Sequence, residues 1–432
     1  MHVQESAKRA KDAALRLATL STATKDRALE VIAEALIEHR EHILEANHCD
    51  VTQAKSLVER GVLAKPLLDR LKLTEHKVLD MATGVRSVAG LPDPVGRTLS
   101  TIELDAGLVL TQMTCPIGVI GAIFESRPDA MPQIASLCWK SGNAVIMKGG
   151  SEAQASNRVL GQLIRGAIAS VDASCVEAIQ MVETREDVHA LLALDEYIDL
   201  FIPRGSNAFV RYIQDHTRVP VLGHAEGLCH AYVDQHADLG RAVAVCYDAK
   251  VQYPAVCNAI ETVLVHRRIA ATFLPMLASA YRNAGVEMRG CAATRTILPE
   301  VLEATAADWG TEYLDLIVSL RVVDSPEEAI AHINQHGSGH TDTILTEDPE
   351  TAEHFLAHVD SATVMHNAST RFADGFRFGK GAEVGISTNK THARGPVGLD
   401  GLVIYKYCLV GQGHVVVDYV GPQAKPFTHR SL

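Results

Sequence analysis

Residues 118–151 read GVIGAIFESRPDAMPQIASLCWKSGNAVIMKGGS, and this stretch decides the fold class. Residues 118–124 form a short, continuous apolar run, as expected of a strand buried on both faces. A polar loop at 125–128 follows, then a helical segment through 135–139. A second apolar run, 144–147, leads through a Gly-Gly turn into a helix over 151–164. Residues 198–202 predict a third strand, with Gly205 and Ser206 opening the next helix, and 219–222 read as a fourth strand. Strand followed by helix at this spacing predicts an α/β fold with a parallel, doubly wound sheet.

On the amino-terminal side, residues 7–86 carry a helical pattern. Leu29, Ile32, Leu36 and Ile43 fall on one face, so this region is expected to pack on the sheet. The Gly- and Pro-containing stretch 89–96 ends it, and the alternating residues of 101–114 suggest a hairpin. On the other side, a helix from Asp238 leads to a compact segment around Cys257, and a second set of strands and helices runs to about 360. Residues 405–419 read as strand. The uncharged stretch 106–124 contains Gln112, Pro116 and several glycines, which fits a buried strand pair rather than a membrane span.

A chain of 432 residues with 47% hydrophobic and 21% charged residues is globular and long enough for two or three domains. Its net charge of −12 argues against nucleic acid or an anionic membrane as the main partner, while leaving room for a local basic pocket. The nine cysteines are scattered without a CxxC pair, which fits a reducing cytoplasm rather than a disulfide or zinc framework. The opening MHVQESAKRAKDAALRL has no apolar core ahead of its charges and does not read as a secretory signal. The 20 histidines show no ligand spacing, so no metal is assigned.

Four places invite chemistry. Lys148-Gly149-Gly150-Ser151 closes a strand and opens a helix, where phosphates bind, although GxGxxG is missing and a plain corner fits equally well. Pro203-Arg204-Gly205-Ser206 repeats the arrangement, with Ser206 either facing a pyrophosphate or acting as a simple N-cap. Cys257 follows a turn and precedes the apolar segment 260–265. If that segment is a helix, its free amides would favour a thiolate and an oxyanion; a structural cysteine is the plainer alternative. The polar stretch 367–398 is long for a compact domain and holds Arg371, Lys380, Lys390, His392 and Arg394, either as anion ligands or as a solvated loop.

In this order and spacing, the stretches FESRPDA (124–130), KSGNAVIMKGGSEA (140–153), IPRGS (202–206) and YPAVCNAIET (253–262) resemble the gamma-glutamyl phosphate reductase family. TEYLD (311–315), NASTRFADG (367–375) and GAEVGISTNKTHARGPVGL (381–399) extend the resemblance over nearly the whole chain. That family lies within the aldehyde dehydrogenase superfamily. The resemblance implies an NADP-binding domain over 1–100 and 117–236, a catalytic domain over 237–400, and oligomerisation strands with a tail over 101–116 and 401–432. It also implies NADPH-dependent reduction of L-glutamyl 5-phosphate to glutamate 5-semialdehyde, a step of proline biosynthesis, in a cytoplasmic dimer or tetramer with glutamate 5-kinase as a partner. Carried over by position, Cys257 matches the nucleophile, Lys148 the lysine near the adenosine ribose, and Gly205 and Ser206 the pyrophosphate turn. Glu312 matches the glutamate of the nicotinamide ribose. An uncharged Ser151 leaves room for a 2′-phosphate, hence NADPH. Arg127, His392 and Arg394 are expected at the anionic substrate.

Ordinary aldehyde dehydrogenases carry a glutamate that activates water, where this chain has His224. They also carry an oxyanion asparagine where it has Ser126. A reductase of acyl phosphates needs no such base, because phosphate leaves and hydride resolves the thioester. The competing readings are a hydrolytic aldehyde dehydrogenase, a non-catalytic protein retaining the fold, and a thiol hydrolase that would leave both phosphate turns without purpose.

Overall fold

A computed structural model describes residues 3–63, 65–223 and 226–432. Position 224, and with it the expected His224 substitution, lies outside the described residues. Five helices open the chain: α1 (Val3–Leu17), α2 (Thr22–Glu38), α3 (Arg40–Glu59), α4 (Lys65–Leu71) and α5 (Glu75–Ala89). The stripe expected from the periodicity is buried, with Leu29, Ile32, Leu36 and Ile43 each 2% exposed or less. It shares one core with Val119, Ile120, Val145 and Ile146 of the neighbouring sheet. Each side chain so buried contributes about 1.5–3 kcal/mol.

The hairpin β1 (Thr98–Asp105) and β2 (Leu108–Pro116) comes next. The alternating part follows: β3 (Val119–Phe124), α6 (Ala130–Lys140), β4 (Ala144–Lys148), α7 (Gln154–Val171), β5 (Ile179–Met181), α8 (Arg185–Leu192), β6 (Leu200–Arg204) and α9 (Asn207–His216). These strands form a parallel sheet in the order β5-β4-β3-β6. The chain moves outward from β3 and then returns to place β6 on its other side. The carboxyl ends of β3 and β6 therefore flank the crevice in which open α/β sheets bind their ligands. Residues 219–222 do not form a fourth strand. Pro220 lacks a donor, and only a single bridge, Phe201 to Val221, joins the segment to β6.

A second unit begins with β7 (Cys229–Val233), α10 (Leu239–Val251), β8 (Ile260–His266), α11 (Arg267–Asn283) and β9 (Glu287–Gly290). It continues with α12 (Ala292–Ile297), β10 (Leu302–Glu303), β11 (Ile317–Val323), α13 (Pro326–His336), β12 (Thr341–Leu345), α14 (Pro349–His358) and β13 (Thr363–His366). Seven strands pair in the order β10-β9-β11-β8-β7-β12-β13. Strand β7 precedes residue 237, where the sequence reading began its second unit, yet it pairs with β8 and β12. The polar stretch 367–398 is less irregular than its composition suggests, because β14 (Gly385–Ser387) and β15 (Gly395–Val397) pair within it. Strand β16 (Val403–Val410) runs antiparallel to β2, and β17 (Arg430–Ser431) joins β1. The strand expected over 405–419 thus stops at Val410, and Val416–Tyr419 is a short 3₁₀ turn.

Candidate active site

Cys257 lies in the turn between α10 and β8, and the segment after it is a strand, not a helix. All seven residues of β8 are buried, so neither alternation nor helical period showed in its sequence. The support expected from a helix amino terminus is therefore absent, and the thiol is placed by the turn and its neighbours. Gly227 lies against the turn so closely that a Cβ there would stand 2.2 Å from the Cys257 carbonyl oxygen and 2.6 Å from its Cβ. Only glycine allows that approach. Cys229, fully buried, donates its S–H to the Cys257 carbonyl at 3.2 Å. Burial pushes the Cys229 thiol well above its ordinary value, so it serves as a scaffold donor. The Asn258 carbonyl accepts from Thr370 Oγ1 at 2.6 Å, and Asn258 Nδ2 donates to the Ala373 carbonyl at 2.9 Å. Arg70 Nη2 donates to the Ala255 carbonyl at 3.0 Å.

The turn sits at the amino-terminal edge of the seven-stranded sheet, where the loops before β7, β11 and β12 also meet. The Gly227 N–H donates to Glu312 Oε1 at 3.0 Å, and the Leu228 N–H to Ser338 Oγ at 2.9 Å. Glu312 is thereby brought to the backbone that packs on Cys257. Beneath this edge, Lys250 Nζ meets Glu261 Oε2 at 2.6 Å, and Glu261 Oε1 accepts the Leu314 N–H at 3.4 Å. Burial weighs against charge on both members of this pair, and their contact holds it in place.

Three arginines gather here. Arg371 donates Nε to Gln252 Oε1 at 2.9 Å and Nη1 to Asn258 Oδ1. Arg127 pairs with Asp129 at 3.0 Å, and the charges acting on it include Tyr253 and Glu383. Arg204 ends β6. Burial lowers its guanidinium from the ordinary value and Arg127 adds repulsion, while Glu383, Asp129 and Cys257 act in the opposite sense. Cys257 is likewise among the groups acting on Arg371. Burial raises the Glu383 carboxyl, and Arg204, the Gly375 N–H and Arg127 pull it back. The arrangement suits a nucleophilic thiol acting on an anionic substrate.

At the facing edge of the smaller sheet, Lys148 ends β4 half-buried. Burial lowers its ammonium group, Glu152 and Glu125 raise it, and Arg185 lowers it further. Ser151 is exposed and opens a 3₁₀ turn rather than a full α-helix. Gly205 and Ser206 lie at the start of α9, where the Ser206 hydroxyl makes no capping bond. The Ser206 N–H is held by the Glu125 carboxylate, which burial raises and this bond lowers. The residues fit a dinucleotide: Gly205 and the start of α9 stand at the crevice between β3 and β6, with Lys148 and the Gly149-Gly150 turn at the end of the neighbouring β4.

Other expectations meet different partners. Ser126, in the left-handed region with φ +40°, gives both its N–H, at 2.6 Å, and its hydroxyl, at 2.5 Å, to Glu152 Oε1. Its hydroxyl is thus engaged by a carboxylate. His392 Nε2 bonds the Gly401 carbonyl at 3.0 Å, and Arg394 grips Asp360 through Nη1 at 2.9 Å and its carbonyl through Nη2 at 2.9 Å. Among the described contacts neither reaches the Cys257 turn. The polar stretch contributes Arg371 and Glu383 instead. Arg204 and Arg371 stood inside IPRGS and NASTRFADG, but nothing in sequence separates them from other arginines until partners are known.

The aldehyde dehydrogenase family model matches residues 1–315. Gamma-glutamyl phosphate reductase of Methanosarcina mazei is 56% identical over 429 residues, covering 98% of this chain and 96% of that one. The enzyme of the same name from Pelotomaculum thermopropionicum is 55% identical over 432 residues, covering 100% and 98%. The crystal structure of gamma-glutamyl phosphate reductase from Thermotoga maritima superposes with a TM-score of 0.91 at 43% identity, covering 96% of this chain and all of that one. Folds of this family work with a nicotinamide dinucleotide, consistent with the crevice between β3 and β6. The chain belongs to the aldehyde dehydrogenase family, in its gamma-glutamyl phosphate reductase branch.

Proposed function

We propose that this enzyme reduces L-glutamyl 5-phosphate to L-glutamate 5-semialdehyde and inorganic phosphate, as the second step of proline biosynthesis, through a thioester on Cys257. The observation that carries the reading is a partly exposed thiol whose turn is held by Arg371 through Asn258, with Arg204 and the nucleotide crevice at the facing sheet edge. The Cys257 thiolate attacks the acyl carbon, and the Cys257 amide holds the developing oxyanion. Collapse breaks the carbon–oxygen bond to phosphate, which leaves with the bonding electrons. Ser126 joins the oxyanion only once Glu152 releases its hydroxyl.

NADPH, when bound, supplies the hydride that resolves the thioester. Lys148, Ser151, Gly205 and Ser206 hold its adenosine and pyrophosphate, and Glu312 holds the nicotinamide ribose. Preference for the 2′-phosphate rests on the uncharged Ser151 flanked by Lys148 and Arg185. Replacement of Cys257 by Ala is expected to lower turnover by about a thousandfold or more, while Cys291→Ala stays within about threefold of wild type. A Cys257→Ala enzyme retaining several per cent of activity contradicts the covalent route.

The antiparallel sheet points to self-association as a dimer or tetramer. Strand β16 lies at its edge with Tyr405 54%, Tyr407 61% and Leu409 56% exposed, an apolar strip of the kind that pairs with a second copy. Sedimentation is expected to show the oligomer and its loss in Tyr405→Asp/Leu409→Asp. All nine cysteines are free, as suits a cytoplasmic setting.

A further inference from the structure

Resting on the acyl-phosphate reading above, we propose that Arg204 is a substrate-binding residue that takes a phosphoryl oxygen of the acyl phosphate and of the departing phosphate. The residue ends β6 opposite Phe124, and its carbonyl accepts the Glu125 N–H at 3.2 Å. Its side chain lies beneath the β14–β15 hairpin, with Cγ 3.9 Å from where a Cβ on Gly385 would stand. Backbone pairing and hairpin together fix the guanidinium at the crevice. There its Nη1 is shielded from solvent and has no hydrogen-bond partner among the described residues.

The other arginines of the site are satisfied from within. Arg371 has Gln252 and Asn258, and Arg127 has Asp129. The carboxylates nearest in effect to Arg204 are otherwise engaged: Asp129 by Arg127, and Glu383 by the Gly375 N–H at 2.9 Å. A guanidinium cannot shed its proton, so an unmatched one in a shielded position calls for an anion from outside the chain. The substrate offers two, a carboxylate and a phosphoryl group. The phosphoryl group is bonded to the carbon that Cys257 attacks, and the Cys257 thiol is among the groups acting on Arg204. Phosphate is also the better match for the planar donor fork.

The test runs the reaction in the oxidising direction, with glutamate 5-semialdehyde, NADP⁺ and inorganic phosphate varied in turn. Arg204→Met is expected to raise the apparent KM for phosphate by about tenfold or more, with the other two KM values within about threefold and partial recovery in Arg204→Lys. In parallel, phosphate should slow iodoacetamide labelling of the Cys257 peptide strongly in wild type and only weakly in Arg204→Lys, a readout that survives if the Met variant does not fold. An unchanged phosphate KM with retained protection overturns the proposal. So does a rise confined to semialdehyde, which assigns Arg204 to the carboxylate, or to NADP⁺, which assigns it to the cofactor. Wild type lacking any phosphate-dependent turnover overturns the parent reading instead.

Discussion

Two cations near Cys257, one buried and one half-buried, have been treated in opposite ways. Lys250, fully buried, meets the Glu261 carboxylate at 2.6 Å, and that carboxylate in turn accepts the Leu314 N–H beside Glu312. Arg204, at the facing sheet edge, has a shielded Nη1 without a partner. Charge matched within the chain is scaffold, here holding the loop that presents Glu312. Charge left unmatched at a crevice is a place prepared for a ligand. The distinction separates stability from binding and can be broken experimentally.

The largest expected effect is on folding. Lys250→Met leaves Glu261 buried without its cation and should destabilise the enzyme by about 3–5 kcal/mol in denaturant unfolding, with much of the loss recovered in Lys250→Met/Glu261→Leu. Arg204→Met should change stability by less than about 1 kcal/mol or increase it, since it removes an unmatched charge. Equal destabilisation by the two variants would erase the comparison.

Next comes Gly227→Ala. Its Cβ has no room beside the Cys257 backbone, so the turn must shift, and kcat is expected to fall by about a hundredfold with a smaller change in cofactor KM. An unchanged kcat would mean that the turn is not held by this contact. The smallest effect is at the cofactor edge. Arg185 is exposed and acts on Lys148 from the start of α8, so Arg185→Ala should reduce the preference for NADPH over NADH by about five- to tenfold, read as a ratio of kcat/KM values. No change in that ratio removes Arg185 from the 2′-phosphate site.

Much of the fold was legible because β3 and β4 are buried on both faces and read as unbroken apolar runs between helix-opening turns. The same property misled at β8, whose continuous burial left Cys257 looking like the start of a helix; its short length and its valines were the available signal. Position along the chain was legible at Cys257, found in the turn before β8, and at the two glycine-bearing turns, found at the ends of β4 and β6. The site was not legible where pairing decides. His392 and Arg394 looked as available as Arg371 until folding set Arg394 on Asp360 and His392 on the Gly401 carbonyl. Ser126 meets Glu152, a partner that sequence spacing does not show.

The central claim is that phosphate, not water, exchanges with the Cys257 thioester. It is tested most directly by following NADPH formation from glutamate 5-semialdehyde and NADP⁺ with and without inorganic phosphate. The account predicts turnover that depends on phosphate and is lost in Cys257→Ala. NADPH formation at the same rate without phosphate, with glutamate as the product, would contradict it.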